Sequence, residues 1–301
     1  MEILFRILIM IICWSIAGEC LANQSAWYFT SNDINSLHSK PADYRIPYGN
    51  SPLQFGDLRL PNGKGPFPVA IIIHGGCWIS TFATIQNTSA LADALRDIGI
   101  ATWNIEYRRI DNEGGGWPGT FEDIAHATDF LRKIADHYSL DLTHLIIIGH
   151  SAGGHLALWA AARHQLSSTS PLYMQHPLIP RGVIVLGGIP DLKAFRQFGE
   201  NICDADVVGK LLGNSPNQIV THYKDASPNE LLPLGVPQVL IYGSEDESVP
   251  AKFGAAYAQS AREKGDHVKF ITVQYAAHHE YIVPNSVTWP MLRSAISSLL
   301  H

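Results

Sequence analysis

The stretch HLIIIGHSAGGHLA, residues 144–157, decides the fold. Its apolar, β-branched first half predicts a buried strand, and the Ala- and Leu-rich sequence after Ser151 predicts a helix. Between them stands a Gly-x-Ser-x-Gly motif, which describes a nucleophile elbow in this strand-to-helix setting. Such a turn exposes the serine at the carboxyl edge of the sheet, and Gly149 and Gly153 carry no side chains that would collide with the adjacent strand and helix. The alternative is a Gly-rich helix start with Ser151 as its N-cap, but further stretches complete the same arrangement.

A strand that ends in a Gly-rich turn is the next of these stretches. Residues 68–73 form a short apolar run, which predicts a strand buried on both faces of a sheet, and HGGCW follows at 74–78. The two glycines let the backbone turn its N–H groups towards the serine. We predict that the amides of Gly76 and Cys77 join that of Ala152, at the start of the elbow helix, in an oxyanion hole.

An acid and a histidine follow later strands. Asp246 lies in GSEDESVP, residues 243–250, and His278 leaves the last predicted strand. Serine, acid and histidine is the chain order of this kind of site. An imidazole titrates near neutral pH and can take the serine proton, while a carboxylate fixes its tautomer. We predict Ser151 as nucleophile, Asp246 as orienting acid and His278 as base. The rivals that stay open are the acids Glu245, Glu247 and Asp191 and the base His279.

The remaining pattern predicts an α/β fold with a mostly parallel sheet and helices on both faces. Further strands are predicted over residues 54–60 (an edge strand), 100–107, 181–188, 238–242 and 267–275, and helices over 89–97, 120–138 and 251–264. Residues 23–52 are polar and turn-rich, which predicts a surface arm. Residues 192–236 are less regular and are predicted to form a small lid. We expect one domain over residues 23–301, with the lid as an insertion.

Two tryptophans are candidates for substrate binding. Trp78 follows the Gly-rich turn and either lines the acyl or leaving-group pocket or covers the edge of the core. Trp117 lies in a Gly-rich loop over residues 111–119, at the carboxyl end of a predicted strand, where ligands bind in doubly wound sheets. We therefore predict Trp117 as a pocket wall.

Composition and charge exclude several classes of protein. The chain has 301 residues, 46% of them hydrophobic and 16% charged, which fits one large globular domain. The formal net charge is −6 and there is no basic run, so no nucleic-acid partner is expected. No Cys or His cluster has the spacing of metal ligands, because the side chains of the adjacent His278 and His279 diverge on an extended chain. No metal or cofactor is expected.

The first residues have the pattern of a signal peptide. Residues 1–6 carry one basic side chain, residues 7–17 are apolar, and Cys20-Leu21-Ala22 has small residues at its first and third positions. We predict a signal peptide over residues 1–22 with cleavage after Ala22, and hence export to the periplasm or the exterior.

Two alternatives at the N-terminus stay open. The apolar run could remain as an uncleaved anchor, although it is short for a membrane span. Cys20 could be lipidated, but Glu19 stands where a small residue should precede such a cysteine. We expect no stable membrane insertion after cleavage.

Cys77 and Cys203 are the two cysteines that would remain after signal cleavage. In an oxidising compartment they could form one disulfide. They could equally be two small buried thiols. The sequence leaves both alternatives open.

The motifs together resemble the α/β-hydrolase superfamily, in its esterase/lipase branch of arylformamidase-like, feruloyl-esterase-like and prolyl-oligopeptidase-like catalytic domains. The resemblance is carried by residues 74–78, 149–155 and 243–250. The family often places its acid as Gly-x-x-Asp before Val-Pro, which matches Asp246. Its catalytic histidine often precedes an aromatic, an acid, an apolar residue and proline, a register that fits 278–284 although His279 replaces the aromatic.

The expected function is that of a serine hydrolase that cleaves small carboxylic esters through an acyl-enzyme. The same catalytic groups would serve an arylformamidase, another amide hydrolase or a peptidase, although no propeller domain precedes the catalytic one to select peptides. A catalytically dead binding module is the alternative from another class, and the complete set of Ser151, Asp246 and His278 argues against it. The expected partner is a small-molecule ester or amide.

Overall fold

The computed structural model describes residues 28–213 and 215–301. The predicted signal peptide, residues 1–22, lies outside the described residues. Within the part that is described, no helix is both long and apolar enough to cross a bilayer. The elements of this part form one eight-stranded sheet with helices packed on both faces.

The sheet has the strand order β1-β2-β4-β3-β5-β6-β7-β8. Its strands are β1 (Tyr44–Pro47), β2 (Phe55–Arg59), β3 (Phe67–Ile73), β4 (Ala101–Ile105), β5 (Leu140–His150), β6 (Gly182–Leu186), β7 (Gln238–Gly243) and β8 (Val268–Val273). Strands β3 to β8 are mutually parallel, whereas β1 and β2 are antiparallel to their neighbours. The predicted mostly parallel sheet is confirmed.

Nine α-helices cover the two faces of the sheet in the described part. They are α1 (Ser31–Ser36), α2 (Ser89–Asp97), α3 (Gly119–Tyr138), α4 (Ala152–Ala162), α5 (Leu192–Gly199), α6 (Val207–Leu212), α7 (Pro216–Ala226), α8 (Ala251–Glu263) and α9 (Trp289–Leu300). Helices α3, α4 and α8 pack on one face and α2 and α9 on the other. Alternate residues of β3 enter the two cores: Ile71 and Ile73 face the first, Ala70 and Ile72 the second. The central strands are therefore apolar on both faces.

The strand predicted over residues 54–60 is confirmed as β2, but its predicted position at the edge of the sheet is wrong, because β1 is the outer strand. β1 lies inside the segment predicted as a surface arm and pairs with β2 in antiparallel register. It is four residues long and largely exposed, and so short a run is not enough for hydrophobic periodicity to predict a strand. Arg45 of β1 binds Asp57 of β2 through two hydrogen bonds of 2.7 and 2.9 Å. The pairing is thus supported by the backbone and one bidentate ion pair.

A buried ion pair joins the ends of β3 and β4. His74 and Glu106 are 0% and 2% exposed, and the His74 Nε2 lies 2.9 Å from Glu106 Oε1. The same carboxylate accepts hydrogen bonds from Arg109 Nη1 at 2.8 Å and from the Ile85 amide at 3.0 Å. Burial raises the pKa of Glu106, but the charges of His74 and Arg109 and these hydrogen bonds outweigh it and lower the pKa to about 2. His74 is therefore a structural residue, as its position at a strand end suggests.

Replacing Glu106 with glutamine should destabilise the fold in a pH-dependent way. A pKa lowered from 4.5 to about 2 means that the carboxylate stabilises the fold fully above its ordinary pKa, and that this contribution, about 3 kcal/mol, is lost as the pH falls towards 2. We expect Glu106→Gln to lower the free energy of unfolding at pH 7 by several kcal/mol. Urea unfolding at pH 7, 4 and 3 checks this, with Glu113→Gln as an exposed control. A constant difference between the two proteins at all three pH values would contradict it.

Candidate active site

The serine of the Gly-x-Ser-x-Gly motif stands at the junction of β5 and α4. Ser151 has φ 55° and ψ −122°, a left-handed backbone that is costly for a non-glycine residue and is often found at functional sites. A Cβ on Gly153 would lie 2.1 Å from the Ile73 carbonyl oxygen, and a Cβ on Gly149 would lie 2.1 Å from the Gly153 carbonyl oxygen. Both glycines are therefore required by the close approach of β3, β5 and α4, which turns Ser151 out at the carboxyl edge.

The loop after β3 places backbone amides beside this serine. Gly76, Cys77 and Trp78 have φ values of 97°, 53° and 55°, three left-handed residues in succession. The N–H groups of Gly76 and Cys77 have no acceptor within the described residues. Ala152 is the first residue of α4, where N–H groups have no partner inside the helix. Gly76, Cys77 and Ser151 line one cavity.

Asp246 and His278 form a buried pair at the ends of β7 and β8. The Nδ1 of His278 lies 2.9 Å from Oδ2 of Asp246, whose side chain is 0% exposed. The other carboxylate oxygen, Oδ1, accepts hydrogen bonds from the amides of Ser248 and Val249. Burial raises the pKa of Asp246, but His278 and these donors overcome it and hold the pKa below its ordinary value. Asp246 is thus ionised at neutral pH and holds the His278 ring through its Nδ1 atom.

Tyr281 is a member of this site that the sequence analysis did not single out. Its hydroxyl donates to Asp246 Oδ2 at 2.8 Å and accepts from the Gly243 amide at 2.5 Å. Burial, reinforced by the Asp246 charge, raises the pKa of Tyr281. The hydroxyl therefore stays protonated and donates a hydrogen bond to the Asp246 carboxylate. A tyrosine three positions after a histidine carries no recognisable signal in one sequence.

His150 is a second residue of the site that the sequence analysis did not assign. It precedes the serine, and its Nε2 donates to the His278 carbonyl oxygen at 2.9 Å. The ring is buried. Burial, and then the neighbouring His278 and His279, hold the pKa of His150 well below 6.5. A neutral imidazole thus ties the end of β5 to the loop that carries His278.

The rivals for the acid and the base lie in other surroundings. Among the described carboxylates, Asp246 is the one that contacts the His278 ring. Asp191 caps α5 by accepting hydrogen bonds from Lys193 and Ala194, and Glu245 and Glu247 are exposed. His279 lies within 3.2 Å of the Ser31 hydroxyl. Burial, and then His278, lower the pKa of His279 to about 4.

A cavity of about 170 Å³ connects these groups. Its lining includes Ser151, His278, Gly76 and Cys77. The lining also includes Phe82, Ile189, Phe195, Ile202, Cys203 and Val249. The segment predicted as a lid over 192–236 contains α5, α6 and α7 and supplies three of them. In the described ranges no cluster of three His, Cys, Asp or Glu side chains is arranged to hold a metal ion.

Neither predicted tryptophan belongs to the described lining of this cavity. Trp78 is 0% exposed and packs edge-on against His155 at 5.2 Å between ring centroids. The indole therefore belongs to the hydrophobic core and not to the described lining of the cavity. Trp117 is half-buried and stacks on His222 at 4.1 Å. The loop of Trp117 therefore packs against α7 instead of the serine, which a Gly-rich sequence does not predict.

Curated relatives match most of this chain at low identity. Esterase LipC of Mycobacterium tuberculosis is 26% identical over 82% of this chain and 62% of its own length. Kynurenine formamidase of Danio rerio is 26% identical over 79% of this chain and 74% of its own length. The chain spans between 50% and 62% of the length of the first three curated relatives that it matches.

The architecture is that of solved α/β-hydrolases. The crystal structure of esterase B from Lactobacillus rhamnosis, inhibited by a bound compound, superposes with a TM-score of 0.73 at 18% identity, over 97% of this chain and 96% of that one. At that identity the likeness shows the fold alone. The family model described as BD-FAE matches residues 57–260, a range that includes the oxyanion-hole candidates, Ser151 and Asp246. This match covers more than half of the chain, and the chain therefore belongs to the BD-FAE family.

Proposed function

We propose that the protein is a serine hydrolase that cleaves small carboxylic esters through an acyl-enzyme intermediate. One observation carries the proposal: Ser151, two acceptor-free amides and a histidine held by a buried carboxylate line the same cavity. These are the nucleophile, the oxyanion donors and the base that acyl transfer needs. The esterase LipC among the relatives supports the choice of ester bonds.

The proposed reaction has two steps. The Ser151 oxygen attacks the ester carbonyl carbon while His278 takes the hydroxyl proton at Nε2, and the negative oxygen is held by the amides of Gly76, Cys77 and Ala152. Collapse breaks the bond to the alcohol, which leaves with the proton from His278. Water then attacks the acyl-enzyme, giving its proton to the same imidazole, and the carboxylic acid and free Ser151 are released. Asp246 keeps the imidazole in the correct tautomer and stabilises it when it is charged.

The cavity favours short acyl groups. Its volume of about 170 Å³ is close to that of the roughly 150 Å³ cavity that holds a benzene molecule in a protein core. Its lining includes four apolar side chains, those of Ile189, Phe195, Ile202 and Val249. An acyl chain of a few carbons fits such a space, whereas a long chain would have to displace the segment between β6 and β7.

Formamide hydrolysis is the second candidate. Kynurenine formamidase is matched over 74% of its length, and a formyl group is the smallest acyl group that the cavity could receive. The same serine, base and oxyanion donors would act on it. The two candidates differ in the leaving group, which is an alcohol in one and an arylamine in the other.

A substrate panel tests the proposed function. We expect kcat/KM to be highest for acetyl to butyryl esters, to fall at least tenfold for octanoyl and feruloyl esters, and to be lower for an N-formyl arylamine and a peptide anilide. Ser151→Ala should lose about 10⁴- to 10⁶-fold in kcat, because no other group supplies the nucleophile. A serine-directed phosphonate should label the wild type but not Ser151→Ala. Full activity in Ser151→Ala would end the proposal, and a preference for the N-formyl arylamine would favour the second candidate.

A pair of adjacent variants tests the base. His278→Ala removes the ring that Asp246 holds, and we expect kcat to fall by about 10³-fold or more. His279→Ala is the matched control, since it removes an imidazole from the next residue, whose ring hydrogen-bonds Ser31, and it should change kcat less than tenfold. Ester hydrolysis by the two purified variants gives the comparison. A larger loss in His279→Ala than in His278→Ala would reverse the assignment.

We also infer that the protein is exported after cleavage at Ala22. The pattern of residues 1–22 supports this, and so does the disulfide between Cys77 and Cys203, because such bonds persist in oxidising compartments. Mass spectrometry of the protein recovered from outside the cytoplasm should find Asn23 as the first residue. Recovery of an uncleaved chain that begins at Met1 from the membrane fraction would contradict cleavage at this position. A lipid on Cys20 would contradict it as well.

A further inference from the structure

A disulfide forms part of the cavity lining. Cys77 and Cys203 are bonded, with their Cα atoms 5.7 Å apart and a sequence separation of 126 residues. Both residues line the cavity that contains Ser151. Cys77 belongs to the loop of the proposed oxyanion hole, and Cys203 to the segment between β6 and β7 that also lines the cavity. The bond therefore links two separate segments of the proposed active site.

We propose that this disulfide is a positioning element of catalysis, which holds the amides of the oxyanion loop and the apolar wall of the acyl pocket in their working arrangement. The inference rests on the proposed ester hydrolysis and deepens it, since it names what sets the rate and the acyl-length preference. A disulfide that only stabilised the fold would be equally effective between two surface loops. This one is placed where it restrains the groups that contact the substrate.

The first support is the backbone of the oxyanion loop. Gly76 tolerates a positive φ, but Cys77 and Trp78 adopt it against their own preference. Such a conformation persists only where the surroundings impose it. The amides of Gly76 and Cys77 have no acceptor in the described part of the chain, so no internal hydrogen bond of theirs fixes their direction. Their orientation must come from the side chains and carbonyls of the loop.

The second support is the set of anchors on this loop. The Trp78 indole is buried in the core, the Gly76 carbonyl accepts from the Ile79 amide at 2.8 Å, and the Ser80 amide donates to the Asp111 carboxylate at 2.9 Å. The hydrogen bond to the Gly76 carbonyl holds the peptide plane that also carries the Cys77 N–H, and the other two anchors hold the loop from Trp78 onwards. The covalent bond to Cys203 adds a restraint on the side chain of Cys77, the residue whose amide is a proposed oxyanion donor.

The third support is the stretch of chain around Cys203, residues 195–206. Cys203 follows the end of α5, and its amide donates to the Gly199 carbonyl at 2.9 Å. Its neighbour Ile202 and Phe195 of α5 form apolar lining of the cavity. Arg196 and Asp206 close this stretch upon itself through a bidentate pair of 2.7 Å. These contacts tie the stretch 195–206 to itself, and the disulfide joins it covalently to the oxyanion loop.

The consequence follows from preorganisation. Oxyanion donors stabilise a transition state when they are already in place, so that no reorganisation is needed during reaction. Opening the disulfide releases Cys77 to relax and lets the stretch 195–206 move away from Ser151. We expect a lower kcat for the best ester and a weaker preference for short acyl chains, because the pocket becomes larger and less well shaped.

The experiment compares three preparations of the mature protein: oxidised wild type, wild type reduced after folding and then thiol-blocked by methylation, and Cys203→Ser. Reduction after folding keeps the test valid if the variant folds poorly. Cys203→Ser leaves the oxyanion residue unchanged and serves as the matched control, since reductant should alter it no further. Thiol counts verify each state, and thermal melting sets an assay temperature at which all three preparations stay folded.

We expect reduction to lower kcat for the acetyl ester by about tenfold, less than the roughly 100- to 1000-fold loss on removal of a whole oxyanion donor. We also expect the ratio of kcat/KM values for acetyl and octanoyl esters to fall at least threefold, with Cys203→Ser matching the reduced wild type. A lower melting temperature with unchanged kcat and unchanged acyl-length ratio would overturn the inference and leave the disulfide a merely stabilising bond.

Hydrogen exchange separates this inference from the proposed function. Backbone amides at 74–80 and 195–206 should exchange faster in the reduced protein, while those of central strand β5 stay protected. This measurement needs no substrate. If the oxidised protein hydrolyses no ester, the proposed function fails, and exchange alone decides whether the bond restrains both walls. Unchanged exchange in both segments would overturn the inference whatever the activity.

Discussion

The close approach of three backbone segments at the elbow is the constraint on which the rest of the structure depends. The space beside Gly153 is closed by the carbonyl oxygens of Ile73 and His74, and the space beside Gly149 by the Gly153 carbonyl. Because β3, β5 and α4 meet without side chains between them, the loop after β3 comes close to the start of α4. Gly76 and Cys77 of that loop line one cavity with Ser151. The Gly-rich turn after β3 can offer its amides to this serine only because the contact is so short. A methyl group on either glycine would separate the strand from the helix and the serine from its proposed oxyanion donors.

Two buried carboxylates each hold a histidine at this edge, and their surroundings give them different roles. Glu106 holds His74, whose ring is fully buried and also lies 2.9 Å from the Gly75 carbonyl through Nδ1. Both nitrogens of that ring are occupied, so it cannot exchange a proton with a ligand. Asp246 holds His278 through Nδ1, while Nε2 has no hydrogen-bond partner within the described residues and the ring lines the cavity. The two carboxylates are alike in that the pKa of each is lowered. The two pairs differ in the histidine, because only the His278 ring has a nitrogen without a hydrogen-bond partner in the described residues.

Histidines crowd the serine, and burial keeps most of them uncharged. The pKa of His150 is held well below its ordinary value and that of His279 is lowered to about 4, in both cases by burial first and by neighbouring imidazoles second. At neutral pH these two rings are neutral, so in the proposed acyl transfer the positive charge would form on His278, beside the Asp246 carboxylate. Like charges around the base would oppose its protonation. The neighbouring neutral rings therefore add no positive charge beside the proposed base.

The sequence alone was sufficient for the parallel sheet and for helices α2, α3, α4 and α8, because periodicity and glycine spacing are local properties of the chain, whereas α9 was not predicted. Helix α2 begins and ends where its apolar spacing predicts, and the strands before Ser151, Asp246 and His278 are where the apolar runs lie. Tertiary structure decided what depends on distant partners. The exposed edge strand β1 has no pattern of its own and exists through its pairing with β2. The burial of Trp78, the contacts of Tyr281 and the bond between Cys77 and Cys203 join segments that lie far apart along the chain. Such contacts depend on the three-dimensional approach of whole elements, and a one-dimensional pattern of residues does not contain that distance.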